Sequence, residues 1–281
     1  MSEISDKGKI RGEIEALTLE KIEKISEQMK TCICKIYGES IGTGFFCKLF
    51  NNDEYIHVLM TNYHIISDEF LKNNKYFKIS FNNGQIKDEI DINKIMKIYS
   101  SSNEKYDIMI LKLKENNKYN YLELDPDLLT KNSEELYEDK SIYILHYPNE
   151  DNVSVSFGYG LKTLDEKYCK HLCDIKQSSS GSPILNLSTN KVIGIHKESI
   201  YNNKRNKTRN NKGILLKYPL IEMKNEIRMQ IKINKEDINK KIYFLDNTKY
   251  HYYLNELDEA DPKLYINEQI CEYKKYFIPK E

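Results

Sequence analysis

Apolar residues recur at steps of mostly three or four through residues 8–30, at Ile14, Leu17, Leu19, Ile22, Ile25 and Met29, with charged residues between them. That spacing predicts an amphipathic helix. It reads as a packing or capping helix ahead of the main domain, with partner binding as the alternative. From Thr31 the period shortens. Residues 32–37, 43–50 and 56–61 read as strands, 76–81 alternates with period two, 86–99 holds one more strand, and 108–114 is a continuous apolar run. Asn51-Asn52-Asp53 and Asn82-Asn83-Gly84 are turns, because Asn, Asp and Gly tolerate left-handed backbone. About six strands are enough for one small antiparallel barrel.

Residues 115–139 are polar and read as a crossing between lobes, with Asp125-Pro126-Asp127 and an acidic run over 133–139. A second group of strands follows at 141–146, 153–163, 168–175, 183–187, 192–196 and 213–217, enough for a second barrel. The charged stretch 201–212 reads as a solvated hairpin loop; overhang of a cleft that takes acidic substrate is the alternative. Residues 219–229 carry Leu220, Ile221, Met223, Ile227 and Met229 and read as a terminal helix. Beyond them, 231–233, 241–245 and 263–266 look like strands, with Tyr252, Tyr253 and the aromatic stretch 273–278 adding to a small β-rich module. The organisation expected is therefore a helical segment (1–30), a main domain (31–229, with lobes at about 31–114 and 140–218) and a C-terminal module (230–281).

Composition narrows the reading. With 281 residues the chain can bury a real core. Lys plus Arg and Asp plus Glu both number 43, so no global field favours nucleic acid or an anionic membrane. No apolar run is long enough for a membrane-spanning helix, and the first residues lack the core of a signal peptide. The expectation is a cytoplasmic chain, or a mature form whose leader is missing, with neither nucleic acid nor membrane as partner. Six cysteines are present. On one strand Cys169 and Cys173 would lie roughly 13 Å apart, beyond the ~7 Å between Cα atoms that a disulfide spans. Cys169, His171 and Cys173 would crowd one face with no fourth ligand, so no metal is expected.

The chemistry concentrates in Gln177-Ser178-Ser179-Ser180-Gly181-Ser182-Pro183. This string resembles the nucleophile loop of trypsin-like (chymotrypsin-fold) serine peptidases, with Ser180 as nucleophile. Met60-Thr61-Asn62-Tyr63-His64 resembles the end of the family's histidine strand, and Tyr106-Asp107-Ile108-Met109-Ile110-Leu111 its aspartate strand. Gly42-Thr43-Gly44-Phe45 and Val192-Ile193-Gly194-Ile195-His196 resemble the flanking strands. The order His64, Asp107, Ser180 is that of the chymotrypsin-type triad. The resemblance implies a mainly β fold of two six-stranded antiparallel barrels, to which the periodicity adds an N-terminal amphipathic helix and a small β-rich extension. It implies a serine endopeptidase without cofactor or metal, acting on polypeptides from a cleft between the lobes.

In such a site His64 would act as base, Asp107 would orient it, and the backbone N–H groups of Ser178 and Ser180 would form the oxyanion hole. Serine stands at 178 where the family has glycine, which implies strain if that residue needs positive φ. Ser179 replaces the Asp or Asn of the family, so activation by pairing a new N-terminus with that Asp is not expected. For specificity, Gly194-Ile195-His196 and Ser199 resemble the glutamyl endopeptidase branch, in which the histidine helps to bind an acidic side chain. Asp174 points the other way, to a basic side chain, or matches a structural Asp of HtrA-type enzymes; Ile175 stands where the glutamyl branch has Thr or Ser. The acidic preference is favoured. His146, ending its strand where glycine is common, reads as structural. The other readings are a peptidase fold that binds without cleaving, and a scaffold or sensor in which the C-terminal module does the work and the peptidase cleaves one partner; a protein partner would be met through residues 1–30 or 230–281.

Overall fold

The computed structural model describes residues 16–51, 54–113, 119–131, 133–161, 168–200, 210–226, 252–254 and 264–266. Thr18, extended at φ −75°, accepts from the Lys21 N–H and caps α1 (Leu19–Thr31). The helix expected over 8–30 is thus seen from Leu19; residues 1–15 lie outside the described ones. Its buried positions are Ile25 and Gln28, while Leu19 and Ile22 are exposed. The buried glutamine is satisfied from afar. Its Nε2 donates to the Asn190 carbonyl at 3.0 Å and its Oε1 accepts from the Tyr143 hydroxyl at 2.7 Å, so α1 is hydrogen-bonded to the second lobe.

The first lobe is a curled sheet of β1 (Ile33–Tyr37), β2 (Ile41–Asn51), β3 (Glu54–Thr61), β4 (Tyr76–Phe81), β5 (Ile86–Asp91), β6 (Ile95–Ser101), β7 (Ile108–Leu113) and β8 (Leu122–Glu123). Its order is β5-β4-β1-β2-β3-β7-β6, with β8 paired to β2. The single strand expected over 86–99 is two. Asp91 caps a 3-10 turn at Ile92–Lys94 by accepting from the Asn93 N–H, and this breaks the run. The turn at Asn82-Asn83-Gly84 has φ of 44°, 58° and 81°, the left-handed backbone its residue types tolerate. Phe46, Leu59, Ile65, Met109 and Leu111 fill the core of this lobe. β7 is buried at every position, as its unbroken apolar run implies.

The second lobe is a closed barrel, β10-β11-β14-β13-β12-β9. Its strands are β9 (Ser141–His146), β10 (Ser154–Leu161), β11 (Tyr168–His171), β12 (Pro183–Asn186), β13 (Lys191–Ile200) and β14 (Asn210–Leu215), all paired antiparallel. Closure leaves no open edge. The chain is mainly β and consistent with the chymotrypsin-like double barrel that the resemblance implied, the second lobe closing with the expected six strands and the first curling as a sheet of eight.

The crossing between lobes is anchored rather than loose. Asp125, 3% exposed, accepts from the Tyr137 hydroxyl (2.9 Å), Thr189 Oγ1 (2.7 Å), Asn186 Nδ2 (3.2 Å) and the Asp127 N–H (3.1 Å). The terminal helix, expected over 219–229, runs over 217–226 and carries buried Leu220 and Met223. By contact density the chain forms two units, Met1–Cys47 with His57–Lys217, and Lys48–Ile56 with Tyr218–Glu281. In the second unit β15 (Tyr252–Leu254) pairs antiparallel with β16 (Leu264–Ile266). The strands expected at 231–233 and 241–245, and the stretches 201–209 and 273–278, lie outside the described residues. Cys34, Cys169 and Cys173 are in no disulfide among the described residues.

Candidate active site

β3 ends at Thr61, and the chain turns at once. The N–H groups of Ile65 and Ile66 both donate to the Asn62 carbonyl, at 3.2 and 3.3 Å, and this turn presents His64. Asp107 stands just before β7, fully buried, at φ 53°. That left-handed backbone is held by Asn62, whose Nδ2 donates to the Asp107 carbonyl at 2.7 Å. The carboxylate grips His64 twice. Oδ1 accepts from the His64 backbone N–H at 3.0 Å, and Oδ2 lies 2.8 Å from Nδ1 of the ring. A carboxylate there favours the proton on Nδ1 and leaves Nε2 with the lone pair that a base needs. The imidazole keeps 34% of its surface open.

Ser180 comes from the other lobe, in the loop before β12. Its hydroxyl donates to the Lys197 carbonyl at 3.0 Å. Among the described residues it makes no hydrogen bond to the His64 ring. The structure thus joins His64 to Asp107 and points the hydroxyl of Ser180 to β13.

Four consecutive carbonyls of the serine loop are tied down. Gln177 O accepts from the Asn149 N–H at 2.7 Å, and Ser178 O from Thr43 Oγ1 at 3.2 Å. Ser179 O accepts from the Ser182 N–H (3.2 Å) and hydroxyl (2.6 Å), and Ser180 O from the Thr43 N–H at 2.8 Å. In a trans peptide the N–H points opposite to the C=O. Anchoring the Gln177 and Ser179 carbonyls therefore fixes the directions of the Ser178 and Ser180 N–H groups. Neither N–H donates to another group among the described residues. Ser178 has φ 65°, the left-handed value that its family position implied, and Gly181 has φ 84°. A Cβ on Gly181 would stand 2.1 Å from the Thr43 carbonyl, so glycine is required there.

The residues expected to read substrate are dispersed in character. His196 is 1% exposed on β13, with Nδ1 3.1 Å from Nε2 of the equally buried His171. Burial pushes the His171 ring down to about 3, and His196 well below its ordinary range, with each other's nearness adding to the effect for His196. Both rings are therefore neutral near pH 7. Among the described residues Nδ1 of His171 has no hydrogen-bond partner. Asp174 is exposed, Ile175 is buried, and Ser199 is half-buried opposite Asn211. His171, Asn62 and the Lys197 carbonyl were not singled out as site residues in the sequence. Only β11–β14–β13 pairing brings His171 to His196; the alternation of Cys169, His171 and Cys173 was its sole trace. Thr43 bridges the lobes, since its hydroxyl also accepts from the Tyr147 N–H at 3.2 Å. The Gly-Thr-Gly motif thus has a structural reason.

A family model described as a trypsin-like peptidase domain matches residues 42–195, more than half of the chain. Among solved structures, a serine endoprotease from Yersinia pestis is similar at 14% identity and a TM-score of 0.52, over 85% of this chain and 72% of that one. The Rv3671c protease in an inactive form gives 14% identity and a TM-score of 0.49 over 73% of this chain and 94% of that one. No curated protein matches the chain.

Proposed function

The chain belongs to the trypsin-like peptidase family, and from that premise we propose that it is a serine endopeptidase whose triad is His64, Asp107 and Ser180. The observation that carries this is the double grip of buried Asp107 on His64, 3.0 Å to the backbone and 2.8 Å to the ring. A serine hydroxyl is a weak nucleophile and needs such an oriented base. In the reaction His64 Nε2 takes the Ser180 proton as Oγ attacks the scissile carbonyl. The resulting oxyanion is met by the N–H groups of Ser178 and Ser180, and His64 then protonates the leaving amine. Water repeats the sequence on the acyl-enzyme. Rotation of Ser180 about its Cα–Cβ bond, away from the Lys197 carbonyl, precedes attack.

The preferred substrate carries an acidic residue before the scissile bond. Support comes from the His171–His196 pair, which touches no carboxylate among the described residues, and from the exposure of Asp174. A peptidase fold that binds without cleaving is the competing reading. One observation favours it: the Ser180 hydroxyl is engaged by Lys197 and not by His64. Labelling with a fluorophosphonate, beside Ser180→Ala, separates the two. The expected result is labelling that the variant abolishes, with faster cleavage after Glu or Asp than after Lys or Leu in a peptide library. A folded protein that takes no label establishes the binding reading, and equal library rates remove the acidic preference.

A further inference from the structure

Ser179, next to the nucleophile, is 1% exposed, and its hydroxyl lies 2.6 Å from Nδ1 of His146. Nε2 of the same ring lies 2.9 Å from the Ser156 hydroxyl. His146 ends β9 and Ser156 lies on β10, strands that pair in register from Ser154↔His146 to Tyr159↔Ser141. His146 and Ser156 therefore stand on the barrel wall, and the ring reaches from it to the loop that carries Ser179.

A neutral imidazole offers one donor and one acceptor, and a hydroxyl can complement either. The string Ser179–His146–Ser156 is thus satisfied at both ring nitrogens. The ring stays neutral near pH 7, because burial holds it down to about 4; Asp174 acts upward and Lys176 downward. The other titratable rings nearby are His171 and His196, which are neutral too.

Ser179 is also held by its carbonyl, through the Ser182 N–H and hydroxyl. With its side chain and its carbonyl both fixed, the peptide joining it to Ser180 has little freedom to rotate. That peptide carries the Ser180 N–H.

We propose that His146, oriented by Ser156, is a positioning residue that grips Ser179 and thereby sets the peptide donating to the oxyanion. This rests on the peptidase reading above. It assigns a task in the reaction to a ring that touches neither substrate nor reacting atoms.

The test compares His146→Phe, Ser179→Ala, their double variant, Ser156→Ala and His146→Gln, which keeps a donor and an acceptor. In His146→Phe and Ser179→Ala, fluorophosphonate labelling of Ser180 falls about ten- to hundredfold. The double variant is no slower than the slower single. For a peptide substrate kcat falls while KM stays within about threefold, and a peptide aldehyde, bound as an oxyanion, weakens in step with kcat. Ser156→Ala gives a smaller loss, and His146→Gln recovers most of the rate. Amide exchange at Gly181 and Ser182 quickens in His146→Phe while Ile144 and Leu185 keep their rates, which shows a loosened loop in an intact barrel. Additive losses, a rise in KM that accounts for the effect, or unchanged exchange would overturn the proposal. If the unaltered protein takes no label, the peptidase reading fails, and the exchange comparison still decides whether His146 holds the loop.

Discussion

Ser178 sits at φ 65°, a conformation that glycine enters freely and serine enters at a cost of on the order of 1 kcal/mol. The sequence made that strain legible, because glycine is usual where Ser178 stands. It left open whether the strained peptide turns its carbonyl into the oxyanion site. The N–H of Asn149 holds the Gln177 carbonyl at 2.7 Å, which supports the proposal that this carbonyl stays turned away from the oxyanion. Ser178→Gly should therefore raise stability by no more than about 1 kcal/mol in a urea titration, and change the labelling rate less than about threefold. A tenfold faster rate in the glycine variant would mean that serine keeps the hole unformed. The anchor was illegible because Asn149 is remote in sequence and itself left-handed, at φ 52°.

At the scale of elements, periodicity located most strands to within a few residues, since a half-buried strand must alternate and a buried one must be apolar. β9, read as 141–146, is Ser141–His146. Hydrogen bonds made between distant positions were out of reach. α1 was read as an apolar stripe, yet its most connected buried residue is Gln28, whose partners lie 115 and 162 residues away. Gln28→Ala leaves the buried Tyr143 hydroxyl and the Asn190 carbonyl short of a partner. The expected loss is about 1–3 kcal/mol of unfolding free energy, measured in urea. A loss below about 0.5 kcal/mol would show that α1 contributes little to the second lobe.

For the whole molecule, the second barrel encloses three neutral imidazoles, His146, His171 and His196. Folded values of about 4 for His146 and about 3 for His171 lie below the ordinary 6.5. Between those limits the unfolded chain binds more protons than the folded one, so stability rises with pH. The stability present above about pH 6.5 is lost progressively as pH falls toward 4, at about 1.4 kcal/mol per pH unit for each such ring. Urea midpoints at pH 7.5, 6.5, 5.5 and 4.5 should hold over the first step and then drop steadily. A flat profile down to pH 4.5 would mean that these rings are open to solvent in the folded protein.

What the sequence determined by itself is local or ordered. Strand periods, the left-handed turn at Asn82-Asn83-Gly84, and the succession of His64, Asp107 and Ser180 depend on neighbours along the chain and on the chemistry of each residue type. What the tertiary structure decided is which distant groups meet. The carbonyl that holds the Ser180 hydroxyl, the ring that faces His196 and the hydroxyls that flank His146 all follow from strand register and barrel closure. Shifting a strand by one residue turns each side chain to the opposite face. Such partners exist only once the whole set of pairings is in place.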